Sequence, residues 1–268
     1  MFPKSFPNLF GSHGSSSAAI AGAALAVLGL AVGTATATAV NIYTDNFTGG
    51  ATAPLNGASP GMDLTGGTWS AASYWNANGS ASTNNVEQAD AILPFTPTSG
   101  EIYNLSITAS PGSPAAGWQW LAFGFVNTTS SQTSNIFGSA AGPWMLQEPN
   151  SNSSTSDLGQ YFASGNGNIA GYASPQSPIT MGVVLDTTAA QWTAQWYYDG
   201  SPVQGEPYTF STNPSITGVG FGVNYNTAVV GAFSLTGTSV PEPVGLAIFV
   251  AGGLGLLLIK MGRRSPTG

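Results

Sequence analysis

Chemistry in this chain has to come from oxygen atoms and aromatic rings. Between Val40 and Ser239 there is no Lys, Arg or His, the one histidine is His13, and the 268 residues include no cysteine. A Ser-His-Asp or lysine-based mechanism therefore lacks its base, and imidazole or thiolate metal sites lack their ligands. Of the 11 acidic residues, all but Glu242 fall between Asp45 and Glu206. Sugar hydrolysis needs two carboxylates converging on one glycosidic bond, at i, i+2 when one strand presents both. No such pair is present. Glu87 and Asp90 are three apart and point to opposite faces of a strand, and Asp186 and Asp199 sit beside turns, where an aspartate usually bonds its own backbone.

Two kinds of binding remain. Calcium takes only oxygen ligands, which Asp45, Asp63, Asp90, Asp157 and the many asparagines could supply, although no EF-hand or Asp-x-Asp-x-Asp loop gathers them. Neutral glycans are bound by flat rings that stack on sugar faces, with Asn and Asp accepting hydroxyl hydrogen bonds. Trp118 and Trp120 share one face of the run Trp118 to Phe125, with Trp144 and Trp75 as candidate neighbours. The same rings equally suit a second core layer, because tryptophan is usually well buried.

Charge narrows the partners. The formal net charge is −7, and the four basic residues are Lys4, Lys260, Arg263 and Arg264. A middle region whose charged side chains are all carboxylates cannot neutralise phosphates, which excludes nucleic acid. Its ligand has to be neutral, cationic or bridged by a divalent ion.

The elements that must position these groups read as strands. After Val40 the chain consists of short runs of period-two alternation broken every ten or so residues by Gly, Pro, Asn and Ser. Asn41 to Phe47 opens the series, and the Gly/Asn/Ser-rich region Leu55 to Asn85 keeps Trp69, Tyr74 and Trp75, so it is at least partly packed. Tyr103 to Ala109 puts apolar residues on one face and polar ones on the other. In the next run Leu121, Phe123 and Phe125 oppose Trp118, Trp120, Ala122 and Gly124. Val126 to Ala141 reads as a loop, Trp144 to Leu146 as a short strand, and Asn150 to Asn168 as a polar surface excursion. Met181 to Asp186 and Trp192 to Tyr198 form a hairpin that buries Trp192, Ala194, Trp196 and Tyr198, closed by the turn dipeptide Asp199-Gly200. Val219, Phe221, Val223 and Tyr225 alternate with Gly220, Gly222 and Asn224, and Val229, Gly231, Phe233 and Leu235 make the last strand. The fold class is all-β, an antiparallel β-sandwich over residues 40–239.

The ends have a different character. Lys4, the apolar stretch Ala18 to Val32 and the small-x-small site Ala37-Thr38-Ala39 have the layout of a signal peptide over residues 1–39. At the other end Val240-Pro241-Glu242-Pro243 precedes an uncharged run from Val244 to Ile259, slightly under the roughly 20 residues a spanning helix needs but extendable through Lys260. Arg263 and Arg264 behind it leave the C-terminus cytoplasmic and the rest outside. Each proline fixes its own φ and keeps its predecessor extended, which makes Pro-Glu-Pro a stiff handle.

This terminal arrangement, residues 240–264, resembles the PEP-CTERM sorting signal. The resemblance implies a Gram-negative exported protein, held transiently in the inner membrane by a transmembrane helix over 244–259. An exosortase would recognise and process it before it reaches the cell surface or matrix. The middle region resembles the concanavalin A-like or LamG-like jelly roll, through Asp45-Asn46-Phe47, the Leu185-Asp186-Thr187 hairpin leading into Trp192 to Gly200, the Gly-rich penultimate strand and Phe233 to Leu235. Jelly-roll lectins often hold calcium. The expectation is a non-enzymatic, lectin-like surface protein that takes neutral polysaccharide on Trp118, Trp120 and Trp144. A carbohydrate-active hydrolase and a purely structural matrix component are the alternatives.

Overall fold

A computed structural model describes residues 37–48, 53–83, 86–110, 120–131, 137, 142–147, 156–162, 165–172, 178–203, 206–226 and 228–240. For residues 86, 87, 156–162, 165–172, 225 and 226 it describes the backbone alone. Every described strand pairing is antiparallel, and two sheets result. The central part of the 11-stranded sheet runs Thr193–Tyr198, Ile179–Asp186, Glu101–Ser110, Val229–Ser239, with Ala39–Asp45 also beside the last. The seven-stranded sheet runs Gly165–Tyr172, Ser156–Phe162, Trp144–Gln147, Trp120–Val126, Gly218–Asn226, Val86–Pro94, Ser70–Ala71. The described residues contain no helix, so none of them is in a helix long and apolar enough to cross a membrane.

Alternation builds the core as the sequence pattern requires. Tyr103, Leu105, Ile107 and Ala109 are buried while Asn104 is exposed. With Val183, Leu185, Trp196, Phe233 and Leu235 of the same sheet they face Leu93, Leu121, Phe123, Phe125, Val219, Phe221 and Val223 of the other, in one continuous cluster. Two of the three aromatics between Leu55 and Asn85 belong to it: Trp69 and Trp75 are buried and Tyr74 is exposed. Trp69, Phe221 and Phe233 meet at ring-centroid distances of 5.2 and 5.1 Å from Trp69.

The Asp45-Asn46-Phe47 motif turns out to be a fastening. Asp45 is buried, its Oδ2 accepts from the Trp69 indole N–H at 2.7 Å, and its Oδ1 accepts from the Phe47 N–H at 2.7 Å. That second bond helps hold Phe47 at φ 54°, a conformation costly to a bulky residue. Asp199 and Gly200 both have positive φ, 46° and 75°, and Tyr198 pairs with Ser201. This is the two-residue type I′ hairpin that Asp-Gly favours.

Three expectations need correction. The described residues of the polar stretch Asn150 to Asn168 are strands of the sheet rather than an irregular excursion: Ser156–Phe162 and Gly165–Tyr172 pair with each other, and the first pairs with Trp144–Gln147. Backbone pairing needs no apolar side chain, which is why composition hid these strands. In the last strand a bulge between Val230 and Ala232 shifts the register, so Val230 is inside and Val229 outside, while Phe233 and Leu235 keep their expected side. Trp192 is only half-buried, at the mouth of the hairpin, whereas Ala194, Trp196 and Tyr198 are in the core.

Candidate functional site

The outer face of the seven-stranded sheet, turned away from the large core, is where chemistry-bearing side chains collect. Alternation places Gln88, Asp90 and Ile92 of one strand, Gly220, Gly222 and Asn224 of the next, and Trp120, Ala122 and Val126 of the third on this side. Asp90 pairs in register with Gly222, and Asn224 pairs with both Gln88 and Trp120. Neighbouring strands lie about 4.8 Å apart. The Asp90 carboxylate, the Asn224 amide and the Trp120 indole therefore stand on three adjacent strands, with the backbones of Asp90 and Trp120 roughly 12 Å apart, two strand spacings across and two residues along.

The glycines make room for this arrangement. A Cβ at Gly222 would collide with the Asp90 carboxylate and come within 3.1 Å of the Phe137 ring. The Gly-rich strand thus lets an acid and an aromatic ring lie over bare backbone. Phe137, Trp144, Leu146, Ile92, Trp120, Ala122 and Val126 form a second, smaller apolar cluster on this face, with the Phe137 and Trp144 rings 6.0 Å apart. Burial falls off toward one end of the strands. Asp90 is 1% exposed, Trp120 6% and Asn224 8%, and Gln88 is only half-buried.

Trp120 and Trp144 are brought together on this face, as expected, but they do not form an open stacking platform. Trp144 is 4% exposed and packs under Phe137, so the second-layer arrangement describes these two rings. The reason is that Phe137 packs on this face against Trp144, a tertiary contact with no local sequence signal. Trp118 lies outside the described residues. Trp75 is fully buried in the inter-sheet core, away from this face.

The carboxylates offered for calcium are dispersed. Asp63 Oδ1 accepts from the Thr65 and Gly66 N–H groups, each at 2.8 Å, and Asp45 is committed to Trp69 and Phe47. The Asp157 side chain lies outside the described residues. Among the described residues no three acidic, His or Cys side chains converge as a metal cluster would. Asp186 accepts from the Thr188 N–H at 2.8 Å, the turn role read from its position, whereas Asp199 accepts from the Thr180 N–H at 3.1 Å, on the neighbouring strand rather than in its own turn.

At one end of the sandwich a second concavity, about 700 Å³, opens between Val40, Ile42, Leu64, Pro94, Phe95, Tyr103 and Ser239. Tyr103 lines it, and Tyr43 lies behind the lining residues Thr65 and Pro94. The Tyr103 hydroxyl accepts from the Thr98 N–H at 2.7 Å, and the Tyr43 hydroxyl donates to the Pro94 carbonyl at 2.6 Å and is bonded to Thr65. Burial pushes both phenols above their ordinary pKa, outweighing the bonds from Thr65 and Thr98 that pull the other way. Sequence reading missed this concavity because its walls come from six separated segments.

The terminal motifs are described only at their inner edges. Ala37 and Ala39 are exposed, and Ala39 begins the first strand opposite Thr238. Val240 is exposed and its N–H reaches the Gly100 carbonyl at 3.4 Å. Pro241, Glu242, Pro243, the run 244–259, Arg263 and Arg264 lie outside the described residues.

No protein-family pattern matches the sequence, and no curated protein matches it. Solved structures with a similar course of chain include the carbohydrate recognition domain of Emp47p, at 11% identity over 74% of this chain and 96% of that one, TM-score 0.48. Another is an endo-1,3-beta-glucanase from Streptomyces sioyaensis, at 12% identity over 76% and 99%, TM-score 0.48. A third is the lectin from Bauhinia forficata in complex with GalNAc, at 12% identity over 77% and 100%, TM-score 0.43. These neighbours include both binding proteins and an enzyme, so the likeness does not choose between the two.

Proposed function

We propose that this is an exported protein whose lectin-like, jelly-roll β-sandwich binds a neutral polysaccharide without cleaving it. The observation that carries the reading is the grouping of Asp90, Asn224 and Trp120 on three adjacent strands of the outer face. A carboxylate and an amide pair with sugar hydroxyls, and the Trp120 ring, 6% exposed in the covered layer, backs them rather than stacking on the sugar. The half-buried end at Gln88 is where a sugar enters. Absence of basic residues on the sandwich favours a neutral glycan over a sulfated or uronic one. Binding is favoured over hydrolysis because, among the described side chains, Asp90 is the one carboxylate on this face, and hydrolysis takes two.

The test is affinity for a panel of neutral polysaccharides, with the wild type beside Asp90→Asn and Asn224→Ala. Each substitution should weaken binding at least tenfold while leaving the far-ultraviolet circular dichroism unchanged. Folded variants that bind as well as wild type would remove the site, and a wild type that binds no glycan would favour the structural matrix role.

For its route to the surface, we propose cleavage after Ala39, transient anchoring in the inner membrane of a Gram-negative bacterium through residues 244–259, and processing by an exosortase at Val240-Pro241-Glu242-Pro243. The pairing of Ala39 with Thr238 supports this by bringing both processing sites to one end of the sandwich. Replacing Pro241, Glu242 and Pro243 by alanine should leave the protein in the membrane with its anchor attached. Equal release of variant and wild type would sink the exosortase assignment.

A further inference from the structure

The concavity at the terminal end of the sandwich has features that the glycan reading does not use. Its walls are largely apolar, from Val40, Ile42, Leu64, Pro94 and Phe95, and the only carboxylate among its lining residues is Glu101. Among the described residues six large apolar side chains are exposed, and three of them, Val40, Leu64 and Val240, are at this end. A volume of about 700 Å³ lies within the range of about 300–1,000 Å³ usual for ligand pockets.

Chain connectivity fixes what this end faces. Ser239 lines the concavity, and only Val240 and the Pro-Glu-Pro segment separate it from the uncharged run that begins at Val244. Fully extended, the step from Ser239 to Val244 covers at most about 18 Å. With the run in a bilayer, the concavity cannot stand further than that from the point where the chain enters. We propose that this end of the sandwich sits on the membrane surface and that the concavity takes an acyl chain of a zwitterionic phospholipid. The inference rests on the reading of residues 244–259 as a membrane segment. Zwitterionic lipid is selected because the wall carries Glu101 and no base, so an anionic headgroup is repelled. The threonine hydroxyls of Thr65, Thr96, Thr98 and Thr129 at the wall can hydrogen-bond the ester carbonyls where the chain meets the headgroup.

Because the native chain has no cysteine, single labels are clean. The chain from Val40 to Gly268 is reconstituted in phosphatidylcholine vesicles with brominated acyl chains, carrying an environment-sensitive fluorophore at Leu64→Cys, Val229→Cys or Ala251→Cys. Val229 is at the other end of the Val229–Ser239 strand, about 33 Å from Ser239. The label at position 64 should shift to the blue and be quenched severalfold by bromine, and the one at 229 should not change. An unquenched label at 64 beside a quenched one at 251 overturns the proposal while leaving the membrane segment standing. Unquenched labels at both positions overturn the membrane reading itself, and this proposal with it. A blue shift at 64 without bromine quenching overturns it too, placing protein in the concavity, either the terminal run or a second copy.

Discussion

On one side of the Trp120–Val126 strand, Leu121, Phe123 and Phe125 meet the opposite sheet. On the other, Trp120, Ala122 and Val126 meet Phe137, Trp144 and Leu146. Both sides exclude water, but they are built differently. The inner side is part of a cluster that joins every long strand whose side chains are described, and its polar atoms are used as fasteners, such as the Trp196 indole N–H donating to the Trp144 carbonyl at 3.0 Å. The outer side has a thin cover and holds Asp90 and Asn224 among its apolar residues. The outer face keeps its buried carboxylate beside an amide under this thin cover, which makes it the better candidate for recognition, and the inner side, whose buried Asp45 carboxylate is fastened to Trp69 and Phe47, the better candidate for stability.

The contrast is sharpest where it concerns stability. Trp196 is fully buried between the sheets, so Trp196→Ala should cost about 3–5 kcal/mol, a large part of a domain's margin. Trp120→Ala, under the thinner cover, should cost about 3 kcal/mol or less. Urea denaturation of both variants checks the order, and a Trp120→Ala loss equal to or larger than that of Trp196→Ala would erase the distinction between the faces. Gly222→Ala forces a methyl group against Asp90 and Phe137, which should cost about 1–3 kcal/mol as overpacking and weaken glycan binding together with stability. Gly231→Ala makes the control, since a Cβ there meets nothing closer than the Thr108 carbonyl at 3.7 Å.

The smallest expected effect is alkaline. Tyr43 and Tyr103 have folded-state pKa values raised above the ordinary 10.0 by burial. Above that pH the unfolded chain releases phenolic protons that the folded one still holds, so this contribution is intact below about pH 10 and is lost as pH rises from there through the folded values. Denaturation midpoints should fall above pH 10, and Tyr43→Phe with Tyr103→Phe should flatten that fall. An unchanged slope in the double variant would show that burial of these phenols is not felt in stability.

The all-β class, the hairpin through Asp199-Gly200, the inner faces of Tyr103–Ala109 and Leu121–Phe125, and the backbone-bonding role of Asp186 were legible in the sequence. Each is a local rule, either a period of two set by the pleat or a turn set by positive φ. The absence of bases between Val40 and Ser239 is equally a property of the sequence. Tertiary structure decided the rest. It put Phe137 over Trp144, converting a candidate stacking surface into a covered layer, and it set Asp90 beside Gly222 and Trp120 beside Asn224, pairings between residues far apart in the chain. It also brought Val40 and Ser239 to the rim of one concavity. Side-chain periodicity states which way a residue points along its own strand, but the partner it meets there depends on strand order and register, and those are fixed only when the sheets assemble.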